Sequence, residues 1–133
     1  MANKLEELPI HSKAHDFWGA VSALLTAPGL GRNSNLRDQI EDANDSILSN
    51  MSEGFEQGTD KGLEKYLYTA KGSVAEVLSR LGLARRKGYI SSADYEKCLG
   101  MGRELMAMLG GWIGYLAQCD WKDRGRYRRS KRK

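Results

Sequence analysis

Ser46, Asn50 and Glu53 stand at i, i+4 and i+7, so they share one face of a helix, and Gly54 follows at once. A second helical stretch carries Ser73 and Glu76 at i, i+3. Two carboxylates gathered with hydroxyls in one polar patch can do acid–base chemistry if burial raises one of their pKa values. No nucleophile, histidine or metal-ligand spacing accompanies them. The same residues can instead form a hydrogen-bond network that fixes helix register, as a polar core residue does in a coiled coil. We favour that structural reading and extend the network to Gln39.

Two other clusters carry chemistry. His11 and His15 are four apart with Asp16 adjacent. They lack the glutamate and third ligand of a zincin, and Pro9 is expected to leave His11 at a fraying end. No metal or other cofactor is assigned.

The stronger cluster is the C-terminal run. Lys122, Arg124, Arg126, Arg128, Arg129, Lys131, Arg132 and Lys133 stand against one acid, Asp123, a net of +7 over residues 122–133. Residues 1–121 hold 13 basic and 16 acidic residues, a net of −3. Arginine pairs bidentately with phosphate, and Trp121 and Tyr127 can stack on unpaired bases. RNA or single-stranded DNA is therefore the expected ligand of residues 121–133. An acidic protein surface, or a purely solubilising role, is the alternative.

These clusters need elements to hold them. Abundant Leu and Ala, only two prolines and apolar residues at helical spacing predict an all-helical domain. Apolar stripes run Ala14-Trp18-Val21-Leu25, then Leu36-Ile40-Ala43-Ile47-Asn50-Gly54. The third is Leu63-Leu67-Ala70-Val74-Val77-Leu81-Ala84, and the fourth Tyr95-Leu99-Gly102-Met106-Leu109-Ile113-Leu116. Steps of three and four give the seam of helices crossing at about 20°. The spacing predicts helices over about 13–27, 36–57, 60–87 and 92–119, with Asn35, Thr59 or Asp60, and Ser91 as caps. Short later connections predict an antiparallel up-down-up-down bundle within residues 1–120, followed by the basic tail.

The fourth helix carries apolar residues beyond its core stripe. Cys98, Leu105 and Trp112 repeat every seven residues, and Met101, Met108 and Tyr115 form a further row. Only Arg103 and Glu104 are charged between Cys98 and Cys119. A bundle helix needs one apolar face, so these six residues are expected to meet another subunit of a homo-oligomer.

The longest apolar run, Leu105 to Ala117, is 13 residues, short of the ~20 that span a bilayer. Cys98 and Cys119, on one predicted helix, lie roughly 30 Å apart, too far for a disulfide. Both observations predict a cytoplasmic protein with reduced thiols and no membrane partner.

The chain resembles the bacterial four-helix bundle proteins encoded by intervening sequences within 23S ribosomal RNA genes. Their pattern, a glutamine and then Ser-Ile-x-x-Asn-Ile-Ala-Glu-Gly, meets Gln39, Ser46, Ile47, Asn50, Glu53 and Gly54, with Met51-Ser52 replacing Ile-Ala. Ala-x-Gly-Ser-x-x-Glu meets Ala70, Gly72, Ser73 and Glu76, and Gly-Tyr-Ile meets Gly88, Tyr89 and Ile90. The likeness covers roughly residues 12–118. It implies an up-down-up-down bundle and a ring-like homopentamer; no enzymatic activity is established for that family. A more distant similarity, to accessory proteins of diversity-generating retroelements, implies RNA and a reverse transcriptase as partners. Residues and resemblance together lead us to expect a non-enzymatic, nucleic-acid-binding oligomer, or else a protein-interaction scaffold.

Overall fold

The computed structural model describes residues 5–118. Among these residues there are four α-helices, two short 3-10 turns (Leu5–Glu7 and Leu30–Arg32) and no strand. The helices are α1 (Pro9–Leu25), α2 (Ser34–Phe55), α3 (Asp60–Arg86) and α4 (Ser92–Gln118).

The helix ends follow local chemistry. α1 begins at Pro9 rather than near residue 13. A proline in the first turn removes an N–H that has no partner within the helix, and its fixed φ suits helix entry. Asn33, rather than Asn35, caps α2, its side chain accepting from the Leu36 N–H at 3.0 Å. Thr59 caps α3 through the Gly62 N–H at 3.0 Å, and Ser91 accepts from the Asp94 N–H at 3.0 Å ahead of α4. Gly58 and Gly88 both take φ of 78°, the left-handed conformation that ends a helix.

Contacts along each seam fix the topology. Trp18 meets Asp45 while Arg37 reaches the Leu25 carbonyl, so α1 and α2 run antiparallel. Ser46 meets Ser73 while Gln39 meets Arg80, which sets α2 against α3. Tyr95 stands by Gly82 and Leu78 by Gly102, which sets α3 against α4. Lys13 pairs with Glu104 at 2.7 Å while Phe17 approaches Gly102, closing α4 onto α1. The result is an up-down-up-down four-helix bundle.

The core runs the length of the bundle. All seven positions of the α3 stripe are buried, from Leu63 to Ala84. α1 contributes Ile10, Ala14, Phe17, Val21 and Leu25, with Phe17 inward where the sequence suggested Trp18. α2 contributes Leu36, Ile40, Ala43, Ile47, Met51 and Phe55. At the end where α2 stops and α3 starts, Leu5 and Leu8 close an apolar box with Met51, Phe55, Leu67 and Trp112.

α4 is rotated by about half a residue step from the expected stripe, with Gly102, Leu109 and Leu116 common to both. Cys98, Gly102, Leu105, Leu109 and Leu116 face inward, while Leu99, Met106 and Ile113 are half-buried. Gly102 permits this close fit. A Cβ there would stand 2.8 Å from Leu78 Cδ2 and 3.0 Å from Phe17 Cε1. Gly54 does the same for α2 and α3, where a Cβ would lie 2.7 Å from Tyr66 Cβ. Both are closer than side chains tolerate in a packed interior.

Candidate functional site

The α2–α3 seam holds most of the polar residues that the sequence singles out. Ser46 Oγ and Ser73 Oγ are 2.9 Å apart. Asn50 Nδ2 donates to the Ser46 carbonyl at 2.8 Å and to Ser46 Oγ at 2.9 Å. Ser73 is 9% exposed, and Ser46 and Asn50 are half-buried. These three residues form one hydrogen-bonded cluster that ties two helices in a fixed register.

Gln39 and Glu76 belong to a second cluster, one to two turns away. Arg80 donates from Nη1 to Gln39 Oε1 at 2.6 Å and from Nε to Glu76 Oε2 at 3.1 Å. Arg80 was not foreseen as the link. Its signal in the sequence is an arginine four residues after Glu76, the spacing of a helical ion pair.

Glu53 joins neither cluster. It is exposed, and its backbone carbonyl accepts from Gln57 Nε2 and from the Glu56 N–H. Because α2 and α3 are antiparallel, Glu53 and Glu76 lie on opposite sides of the Ser46–Ser73 contact. Ten residues of combined offset at ~1.5 Å each separate them by roughly 15 Å along the bundle. The two carboxylates therefore do not share the polar patch in which paired acid–base chemistry was considered.

A fully buried amide escaped the sequence reading. Asn44 is 1% exposed, and its Nδ2 donates to the Trp18 carbonyl at 3.1 Å and to Ser22 Oγ at 3.4 Å. Trp18 Nε1 in turn donates to Asp45 Oδ1 at 2.9 Å. This polar seam fixes α1 on α2.

The Ser46–Ser73 contact sets an expected result. Ser73→Ala removes one hydrogen bond and leaves Ser46 still bonded to Asn50. The loss of stability should be about 1 kcal/mol, read from urea unfolding midpoints at constant slope. An unchanged midpoint would show that the cluster contributes no net stability.

The six α4 residues assigned to a subunit interface divide. Cys98 and Leu105, at 2% and 0% exposure, lie within the chain's own core and present no surface to a partner. The reason is the rotation of α4 described above. Met101, Met108 and Trp112 are half-buried and pack against the core. Tyr115 is 42% exposed. Met108, Gly111, Trp112 and Tyr115 line a shallow groove of about 400 Å³. The Trp112 and Tyr115 rings meet edge to face at 6.3 Å. The remaining outer face of α4 is small, with Gly100, Ala107, Gly111 and Gly114 exposed.

Burial pushes the Cys98 thiol above its ordinary value of 9.0; Lys97 opposes this and Asp94 adds to it. A raised value in the folded state means that folding favours the protonated thiol. That contribution is fully present below the thiol's unfolded value and is lost as pH climbs through the folded one. The stability advantage of wild type over Cys98→Ala should therefore narrow over the alkaline range, as pH rises above the thiol's ordinary value. A difference that stays constant across this range would contradict the burial of this thiol.

His11 and His15 sit within α1, their rings 4.3 Å apart and tilted by 50°. Among the described residues no group of three or more His, Cys, Asp or Glu side chains is placed to hold a metal ion. No described helix is long and apolar enough to cross a membrane. Trp121, Lys122, Arg124, Arg126, Tyr127, Arg128, Arg129, Lys131, Arg132 and Lys133 lie outside the described residues, as does Cys119.

Four antiparallel helices with polar, hydrogen-bonded seams define a four-helix bundle protein. Within that class, the chain matches the 23S rRNA-intervening sequence proteins over residues 6–111, and it belongs to that family. Neither a curated protein nor a solved structure matches the chain.

Proposed function

We propose that this chain is a non-enzymatic, self-associating bundle that binds RNA through its basic C-terminal residues. The observation that carries this reading is charge segregation: +7 over residues 122–133 on a body of net −3. Each phosphate neutralised by such a run releases counterions, so the charge converts directly into affinity for a polyanion. Trp121 and Tyr127 add stacking surfaces for unpaired bases.

Self-association rests on the outer face of α4. Tyr115 and the groove it shares with Met108 and Trp112 form an apolar patch near the end of the described chain. Joining copies there would gather several tails and raise the local concentration of cations. A ring of five is the arrangement we favour. Native mass spectrometry of the full chain tests the association, with multimers expected and a persistent species of 14.9 kDa counting against it. A gel-shift assay with a single-stranded ribo-oligonucleotide at low salt tests the RNA reading.

The same apolar patch favours a second reading, in which α4 docks a different protein, such as a reverse transcriptase. A full chain that binds no RNA at low salt would transfer the weight to that scaffold role.

A further inference from the structure

We propose that the groove between the end of α3 and the start of α4 is a second contact for a single nucleic-acid strand, distinct from the tail. The proposal rests on the RNA reading above but uses none of the tail residues.

The groove has a volume of about 600 Å³, within the range of sites that take a nucleotide-sized ligand. Three arginines and one glutamate line it. Arg80 is already held by Glu76 and Gln39, so its charge is neutralised locally. Arg85 and Arg86 have no acidic partner among the described residues. Two uncompensated guanidinium groups therefore face one groove, and Lys87 follows them in sequence.

The Arg85 side chain is placed in advance. Its guanidinium lies over the Tyr95 ring, 4.9 Å from the centroid. Its Nε is buried with no hydrogen-bond partner. Holding a guanidinium against an aromatic ring restricts it before ligand arrives and lowers the entropy lost on binding a phosphate. Leu83, also in the groove wall, is 42% exposed and offers an apolar platform. Gly82 keeps the space beside Tyr95 clear, since a Cβ there would reach to 3.4 Å from the hydroxyl oxygen.

Cations in the last turn of a helix complement its dipole, and that accounts for the charge of Arg85 and Arg86. It does not account for a groove of this size, an exposed leucine inside it, or the unpartnered Nε. A ligand with a phosphate beside a planar apolar base accounts for the first two. Paired bases are stacked within a duplex and cannot enter, so the strand must be single.

The groove lies at the opposite end of α4 from Gln118, the last described residue. α4 spans 27 residues, about 40 Å at ~1.5 Å per residue.

The test uses the full chain and a 4-thiouridine-substituted poly(U) strand at low salt. Photo-crosslinks are expected within residues 79–95 as well as in the tail. Arg86→Glu and Leu83→Glu, both at exposed positions, should each weaken binding about threefold to tenfold with an unchanged unfolding temperature. Arg86→Glu should also lower the salt slope by about 0.7. Crosslinks confined to residues 119–133, with both variants binding like wild type, would overturn the groove and leave the tail reading standing. A full chain that binds no strand at all would overturn both. Protection of residues 79–95 by poly-glutamate but not by poly(U) would overturn the groove in favour of an acidic protein partner.

Discussion

Replacing the eight Lys and Arg residues of 122–133 by glutamine should reduce affinity for single-stranded RNA by about a hundredfold or more at about 50 mM salt. The body left behind carries a net charge of −3 over residues 1–121, so it repels a polyanion at long range while the tail attracts one. Neutralising the tail therefore removes the attraction and leaves the repulsion. The bundle itself should stay folded, because its core is built from Ile10 through Leu116. Fluorescence anisotropy with a labelled oligonucleotide reads the affinity, and thermal unfolding serves as the control. Unchanged affinity would place the main binding surface on the bundle.

The second large effect is on stability. Leu105 is wholly buried in the core. Leu105→Ala should cost about 2–5 kcal/mol, because it removes a packed side chain and leaves a cavity that helices can only partly close. Tyr115→Ala should behave oppositely. At 42% exposure and with its ring edge to face on Trp112, its loss should cost at most about 1.5 kcal/mol and should weaken self-association. If Leu105→Ala disrupts the oligomer while leaving the fold intact, α4 must face a partner at that residue and the inward placement is wrong.

That contrast turns on how α4 was legible. The inward set Cys98, Gly102, Leu105, Leu109, Leu116 and the expected set Tyr95, Leu99, Gly102, Met106, Leu109, Ile113, Leu116 both step by threes and fours, apart from the inward step of seven from Leu109 to Leu116. Both are apolar, so hydrophobic periodicity cannot choose between them. Glycines add no weight to either side. Gly102 is common to both sets; what separates them lies on the other helices, in how Phe17 and Leu78 seat against the α4 backbone there. α3 presents less ambiguity: its outward positions are mostly charged or polar, with Tyr68, Ala75 and Leu83 as exceptions, and its stripe is legible directly.

The polar residues divide on the same principle. Ser46 and Asn50 announce themselves because they are one turn apart on one helix face, and Ser73 because a facing helix repeats the pattern. Asn44 sits between Ala43 and Asp45 with nothing local to mark it as interior. Its burial follows from α1 covering it, with Trp18 and Ser22 supplying the acceptors. Glu53 and Glu76 looked like partners because each belongs to a motif with a serine. The antiparallel sense of α2 and α3 carries them apart, and only the pairing of Ser46 with Ser73 reveals the offset. Pro9 shows the reverse error: a breaker inside a helix, it is a favoured starter in the first turn.

The groove by Arg85 could not be read from the chain either. Arg85, Arg86 and Lys87 appear as an ordinary basic helix end. Tyr95 comes from the next helix, and its ring meets Arg85 only once the turn at Gly88 has folded α4 back on α3.

The most direct test of the RNA-binding account is the salt dependence of full-chain binding to a single-stranded ribo-oligonucleotide between about 50 and 200 mM monovalent salt. With eight cations in the tail, the logarithm of the association constant should fall linearly with the logarithm of salt, with a slope of about −3 to −5. A slope near zero, or no binding at the lowest salt, would contradict the account.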